Sequence, residues 1–428
     1  MIFESATVLV FPGGTEIGLE IAQSLFAVKN IRLIAASSTP SNHAPYVFAE
    51  HYLLPSVFES NWREALVDLV RSKDITHIFP AHDDVLIALS ENQSRIPAVV
   101  VTSPVETCRI TRSKSLTYRF LQNDVPVPSM MDTAEDVRHF PVFIKPDSAQ
   151  GSLDCYRIST REELHETMKR RNDFLILEHL PGREFTVDCF SHRRQGLLLC
   201  AGRERVRTRS GIAMNSVSIE LSEFADFAAK ISQRLVFHGA WFFQCKGAQD
   251  GQLKLLEVAP RIAGTMCVER AKGINLPLLS LYESSGVSLR MLINDYTVVV
   301  DRALTSRFQL GIVYNNVYVD LDDTLIIKER VNVDLVRLLY QSINRGCRVI
   351  LLTRHEKDVN LTLRKYRLEG IFDKIIHVPL GIAKSSCIDV GESIFIDDSF
   401  SERLDVSECC GIPTFDSSSV PCLFDDRL

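Results

Sequence analysis

Lys254-Leu255-Leu256-Glu257-Val258-Ala259-Pro260-Arg261 sets a carboxylate and an arginine four residues apart on one short extended segment. A carboxylate for a divalent cation beside an arginine for phosphate oxygens is what a triphosphate site needs. Compatible pieces lie upstream. Val142-Phe143-Ile144-Lys145-Pro146 reads as a buried strand carrying a lysine. An ammonium inside an apolar strand is costly unless it meets an anion. Asp147-Ser148-Ala149-Gln150-Gly151-Ser152 follows, a small polar loop whose N–H groups could cover phosphates. Phe174-Leu175-Ile176-Leu177-Glu178-His179-Leu180 is a strand ending in an acid, and Glu184 begins another strand after Pro181-Gly182-Arg183.

Five such pieces in this order resemble the ATP-grasp superfamily, specifically the carboxylate–amine ligases with an α/β domain in front. The resemblance covers residues 1–305. It implies ATP and Mg²⁺ (or Mn²⁺) as cofactors. Lys114 and Lys145 would contact the ATP phosphates. The 147–152 loop, with Ser148, Gly151 and Ser152, would be the lid over them. Glu178 and the backbone of Leu180 would hold adenine, and Glu184 the ribose hydroxyls. Gln244 and Glu257 would ligate the metal, and Arg261 would bind on the γ-phosphate side. Arg203, with Arg207 and Arg209, forms a basic run where the family often places a phosphate- or substrate-binding arginine. The implied chemistry is attack of a carboxylate on the γ-phosphorus, then of an amine or related nucleophile on the acyl phosphate. Two positions depart from the pattern. Ala259 stands where many members have Asn, and the lid has one glycine where several are common. They motivate one alternative, a nucleotide-binding scaffold with a vestigial module; a kinase-like grasp module that stops at phosphorylation is a second alternative.

The residues in front alternate strand-like and helix-like segments, which predicts a parallel, doubly wound sheet. Thr7–Phe11 reads as a strand, Pro12-Gly13-Gly14-Thr15 as a loop and Ile17–Phe26 as a helix. The glycine spacing is not GxGxxG, and Ala35-Ala36-Ser37-Ser38 offers no acid to a ribose, so a dinucleotide site is not expected. Phe79-Pro80-Ala81-His82-Asp83-Asp84 puts polar groups at a strand's carboxyl end, where a substrate could lie.

A second motif set closes the chain. In Val317-Tyr318-Val319-Asp320-Leu321-Asp322-Asp323-Thr324-Leu325 an apolar strand stops in a cluster of acids. Thr353 ends a strand, Lys384 follows, and Ser393-Ile394-Phe395-Ile396 runs into Asp397-Asp398. This order resembles the haloacid dehalogenase (HAD) superfamily of phosphohydrolases. The resemblance implies that Asp320 is the nucleophile and Asp322 the general acid and base. Thr353 and Lys384 would hold phosphoryl oxygens. Asp320, the residue-322 position, Asp397 and Asp398 would surround Mg²⁺. The intervals have room for a helix but no cap domain, so another domain or a second copy of the chain, as a homodimer, could close the site.

The expected division is 1–110 (α/β), 111–305 (α+β grasp module) and 312–428 (capless Rossmann-like domain). The 428 residues carry a formal charge of −6, with 46% hydrophobic and 24% charged residues, which gives no general reason to bind nucleic acid or anionic membrane. Eleven cysteines without a CxxC pair suit reduced thiols, and no secretory signal or membrane-spanning run is read, so a cytoplasmic location is expected. The expectation is a bifunctional enzyme acting on a small-molecule carboxylate, an amine and a phosphomonoester.

Overall fold

The computed structural model describes residues 5–148 and 154–427. Gly151 and Ser152, expected in the phosphate lid, lie outside the described residues. The chain forms two compact units, Met1–Leu304 with Arg427–Leu428, and Thr305–Asp426. No helix among the described residues is long and apolar enough to cross a membrane.

The first unit opens with β1 (Ala6–Phe11), α1 (Glu16–Leu25), β2 (Ile31–Ser37), β3 (His51–Leu53), α2 (Trp62–Ser72), β4 (His77–Pro80), α3 (Asp83–Glu91) and β5 (Val99–Val100). The five strands form a parallel sheet in the order β3-β2-β1-β4-β5. Both faces are covered, which is why β1 is apolar and buried from Val8 to Phe11. Val8 and Val10 join one core, while Leu9 and Phe11 join another. The strand order reverses direction at β1, so the loops after β1 and β4 part and leave a crevice at their carboxyl ends.

Helices α4 (Val105–Arg112) and α5 (Lys114–Leu121) lead to β6 (Met130–Met131), β7 (Val142–Pro146), β8 (Tyr156–Ile158), α6 (Arg161–Met168) and β9 (Phe174–Glu178). These strands pair antiparallel in the order β6-β9-β7-β8. Next come β10 (Glu184–His192), β11 (Gly196–Arg209), β12 (Ile212–Ile219), α7 (Ser222–Arg234), β13 (Gly239–Gly247) and β14 (Leu253–Ala259). Then α8 (Cys267–Ala271), α9 (Leu276–Ser284) and β15 (Val299–Asp301) complete the unit. The six strands form an antiparallel sheet, β14-β13-β10-β11-β12-β15. Alternate residues split its faces. Phe185, Val187, Phe243 and Leu255 pack with Phe224, Phe227 and Ile231 of α7. The residues between them, many of them polar, face the other way. The boundary expected near residue 110 is crossed by the core, since Val10 and Phe79 share one cluster with Ala240, Ile262 and Leu276.

The second unit contains β16 (Asn316–Val319), the hairpin β17 (Ile326–Ile327) and β18 (Arg330–Val331), α10 (Val333–Asn344), β19 (Arg348–Thr353) and α11 (Val359–Tyr366). β20 (Lys374–His377), β21 (Ser393–Ile396), α12 (Phe400–Cys410) and β22 (Thr414–Phe415) follow. The sheet is β20-β19-β16-β21-β22 with every pairing parallel. Asp320 falls one residue past β16, as Asp397 falls one past β21, so both acids occupy the same edge.

Candidate functional site

Antiparallel register assembles the first cleft. Glu257 of β14 stands opposite Gln244 of β13, Gln244 opposite Thr186 of β10, and Thr186 opposite Arg203 of β11. The neighbouring row on the same face pairs Glu184 with Lys246 and Lys246 with Lys254. Register slips between Gln244 and Cys245, which leaves Leu256 unpaired in the ladder. The Leu256 carbonyl accepts from the Tyr118 hydroxyl at 2.7 Å and from Lys145 Nζ at 3.2 Å. Lys145 Nζ also donates to the Tyr118 oxygen at 2.8 Å. The ammonium is buried between neutral oxygens, and burial pulls its pKa down against the field of Glu257. Lys114 opens α5 and donates to the Asp147 carbonyl at 3.3 Å. Burial lowers its pKa too, again against Glu257. Asp147 anchors this helix start, its carboxylate accepting from Ser113 Oγ and the Ser115 N–H, each at 2.7 Å. Ser148 lies beside Arg112, whose guanidinium donates to its carbonyl at 3.3 Å.

One cleft is lined by Lys114, Lys145, Glu178, Leu180, Glu184, Gln244 and Glu257, so the structure brings together seven of the residues singled out in the sequence. Glu178 pairs with Lys254 and accepts from the Ser129 N–H at 2.6 Å. Glu184 already holds Arg205 at 3.0 Å and Lys246 at 3.3 Å. A second recess shares Lys114 and Glu257 and continues to Arg261. Arg261 is buried and ion-paired with Asp83 of α3. Burial opposes its charge, but Asp83 and Glu257 outweigh that and raise its pKa.

Arg203 corrects the reading of the basic run. It is wholly buried, ion-paired with Asp188, and donates to Thr265 Oγ1 at 2.8 Å. Burial brings its pKa down to about 10. The guanidinium that lines the cleft is Arg205, two residues on along β11. Asp83, Tyr118, Arg205 and Lys246 were not singled out, because the register and packing that place them are tertiary. The sequence marked Asp83 only as part of a polar loop. As a donor set, the Glu257 carboxylate and the Gln244 amide oxygen are hard ligands suited to Mg²⁺. The two desolvated ammonium groups beside them suit phosphate oxygens.

The second unit gathers its site at the carboxyl edge of the parallel sheet. Lys384 Nζ donates to Asp320 Oδ1 and Asp397 Oδ2, both at 2.7 Å, and all three residues are buried. One carboxylate oxygen each from Asp320, Asp397 and Asp398 lies within 4.8 Å of the other two, a group that could hold a divalent cation. Burial, reinforced by Asp397 and opposed by Lys384, raises the Asp320 pKa to about 6. Burial also raises Asp397 against Lys384. For Lys384, burial works against the charge, but the two carboxylates prevail and its pKa rises. Asp398 is fixed by Thr324, which donates to Oδ1 at 3.2 Å and accepts from the Asp398 N–H at 2.9 Å. Thr353 is buried at the end of β19, its hydroxyl accepting from the His355 N–H at 3.2 Å. The Asp322 carboxylate is not one of this three-carboxylate group. It meets His355 Nδ1 at 2.9 Å, and His355 Nε2 is held by Thr362 Oγ1 at 2.7 Å. His355 carried no signal in the sequence beyond lying two residues after Thr353.

Two family models match the chain. One, ATP-grasp in the biosynthetic pathway with Ter operon, matches residues 170–302, and the other, the PylC-like N-terminal domain, matches residues 8–103. No curated protein sequence matches. Among solved structures, the chain is similar to the biotin carboxylase domain dimer of Hydrogenobacter thermophilus 2-oxoglutarate carboxylase in complex with MgADP, ADP and bicarbonate. The TM-score is 0.59 at 13% identity, covering 69% of this chain and 73% of that one. Staphylococcus aureus N5-carboxyaminoimidazole synthetase complexed with ADP also gives 0.59, at 14% identity, covering 70% and 82%. The Campylobacter jejuni biotin carboxylase complex with β,γ-ATP gives 0.57 at 15% identity, covering 69% and 74%. Likeness at these identities is one of fold. The chain has the ATP-grasp fold, preceded by a PylC-like α/β domain.

Proposed function

We propose that the chain is an ATP- and Mg²⁺-dependent ligase joined to a Mg²⁺-dependent phosphomonoesterase of the HAD type, with domains at 1–110, 111–305 and 312–428. The observation that carries the first half is the placing of Glu257 and Gln244 opposite each other, beside Lys114 and Lys145, in one cleft. Glu257 and Gln244 would hold Mg²⁺, which supplies charge neutralisation at the phosphates. Lys114 and Lys145 would bind phosphate oxygens, Glu178 and Leu180 the base, and Glu184 the ribose. Arg261, fixed by Asp83, would face the charge developing as the substrate carboxylate attacks the γ-phosphorus. An amine or related nucleophile then displaces phosphate from the acyl phosphate. The solved neighbours with ADP or an ATP analogue in the corresponding fold support nucleotide binding here.

For the second half, Asp320 would attack phosphorus, and Asp322, held by His355, would protonate the leaving oxygen and then deprotonate water. Thr353 and Lys384 would steady the phosphoryl oxygens, while Asp320, Asp397 and Asp398 hold Mg²⁺. Supporting this reading are the three converging carboxylates and the lysine between two of them.

The test has two arms on the full chain. ADP release should require a carboxylic acid, and Glu257→Gln should lower it at least about 100-fold, as for other losses of transition-state charge stabilisation. Product mass separates ligation from kinase chemistry, since a ligase product lacks the phosphoryl group. Phosphate release from a phosphomonoester panel should vanish in Asp320→Asn, and a wild type inactive on the whole panel sinks the second half. Ala259 favours one other reading, a nucleotide-binding scaffold, because it puts a methyl group where an amide ligand could stand. Tight ATP binding without ADP formation across acids and amines would select it.

A further inference from the structure

The recess that shares Lys114 and Glu257 with the nucleotide cleft holds a further cation, Arg112. Arg112 ends α4, while Asp83 and Asp84 begin α3. Each charge suits its helix end, a cation at the carboxyl terminus and acids at the amino terminus. Asp83 pairs with Arg261 and Asp84 with Arg112. Two neighbouring acids thus hold two guanidinium groups, and both of these line the one recess. The Arg112 side chain is only 19% exposed. Its Nη2 makes both of its hydrogen bonds, to Asp84 and to the Ser148 carbonyl. Nε and Nη1 bond to no described residue and remain available as donors. A second ion pair joins the same two helices, Arg109 with Glu91, but it lies on the surface with side chains 54% and 40% exposed. Linking α3 to α4 therefore does not require a buried arginine.

The sequence of groups along the cleft decides which end of a nucleotide reaches Arg112. Glu178, Leu180 and Glu184, proposed for the base and ribose, line the cleft but are not among the described residues lining the recess. Lys114 and Glu257 line both, and Arg112 and Arg261 line the recess. A nucleotide with its base at Glu178 and its metal at Glu257 therefore sends its terminal phosphate toward the two arginines. Charge agrees with this direction. Arg112, Lys114 and Arg261 balance Asp83, Asp84 and Glu257 one for one. A divalent cation at Glu257 then leaves the recess positive, as a terminal phosphate requires. The field of Arg112 also reaches its neighbours. Burial opposes the charge of Asp83, but Arg261 and then Arg112 outweigh it and lower the Asp83 pKa. Burial pulls the Lys114 pKa down, and Lys145 and Arg112 add to this against Glu257 and Asp83.

We propose that Arg112 is a second guanidinium for the terminal phosphate of ATP, so that two arginines, each fixed by one acid at the start of α3, grip the phosphoryl group that is transferred. The assignment rests on the ligase reading only for where the base and the metal lie. Calorimetry on the full chain with Mg²⁺ would compare β,γ-imido-ATP, which keeps the terminal phosphate, with ADP, which lacks it. Arg112→Ala should weaken the triphosphate analogue at least about tenfold, the equivalent of 1.4 kcal/mol, and MgADP less than about twofold. Arg112→Gln keeps a donor for Asp84 without the charge, and should show the same selective loss even where the alanine variant fails to fold. Arg112→Lys, which keeps the charge but not the fork, should fall between Arg112→Gln and the wild type. Arg109→Ala removes the other pair between α3 and α4 and should change neither affinity. Equal losses for the two nucleotides in Arg112→Gln, or no loss for the analogue, overturn the proposal. So does the same selective loss in Arg109→Ala, which would trace it to helix packing. Selective loss in the Arg112 variants, with no acid-dependent ADP release from the wild type, would overturn the ligase reading and leave the Arg112 assignment standing. Acid-dependent ADP release from the wild type with no selective loss in the variants would do the reverse, and a wild type that binds neither nucleotide overturns both.

Discussion

Lys145 shows what one buried charge is for. Its ammonium sits between the Tyr118 hydroxyl and the Leu256 carbonyl, two neutral oxygens that also bond to each other at 2.7 Å. Replacing the lysine with methionine removes a desolvated charge and leaves that second bond intact. Lys145→Met should therefore keep or raise the Tm, while MgATP affinity falls at least about tenfold. Thermal unfolding and calorimetry read the two quantities, and a collapsed Tm would mark the lysine as structural. Asp320 makes a different statement. Burial is the largest reason its pKa stands at about 6, with Asp397 adding and Lys384 opposing. A carboxyl group raised in this way favours the folded state below its unfolded pKa. That contribution is lost as pH rises through the window from the ordinary carboxylate value to about 6. A cation bound at Asp320, Asp397 and Asp398 favours the charged form. Mg²⁺ binding at pH 6 should then release protons from the wild type and fewer from Asp320→Asn, as calorimetry in buffers of different ionisation enthalpy would show. The lysine's role was legible because a cation in an apolar strand is costly. His355, which holds Asp322, was not, because nothing in Thr353-Arg354-His355 says which acid the ring will meet.

Strand periodicity explains most of the first site and one error in reading it. Alternation along β10 and β13 puts Glu184 and Gln244 on one face and Phe185 and Phe243 on the other, and that much follows from a period of two, whereas in β14 only the slip at Leu256 puts Glu257 and Leu255 on opposite faces. Arg203 and Arg205 share a face of β11 by the same rule, yet the first is entombed with Asp188 and the second lines the cleft. Period fixes the face; depth depends on what lies over it. Gly202, between Glu204 and Cys200 on the opposite face, marks how closely α7 approaches. A Cβ there would meet a Phe224 ring carbon at 2.2 Å. Gly202→Ala should destabilise the chain by about 1–3 kcal/mol, the usual range for overpacking. A urea midpoint shift at constant m would show it, and an unchanged midpoint would mean that α7 yields freely.

At the scale of the molecule, the two motif sets fall in separate compact units, Met1–Leu304 and Thr305–Asp426. Fragments 1–304 and 312–428 should each unfold cooperatively when expressed alone, and the shorter should keep Mg²⁺-dependent phosphomonoester hydrolysis. Circular dichroism melts and phosphate release measure this, and an insoluble or non-cooperative shorter fragment would refute it. The sequence by itself determined the strand–helix alternation, the order of the charged strand ends and the kinds of atom available at each, because periodicity and chain order are local properties. It also supported a division near residue 110, which the shared core of Val10, Phe79, Ala240 and Leu276 runs across. Only the tertiary structure decided which charges meet. Arg261 finds Asp83 from 178 residues away, and His355 finds Asp322 from 33. Those pairings depend on which elements cover which faces, and the hydrophobic contacts that set this join segments far apart in the chain.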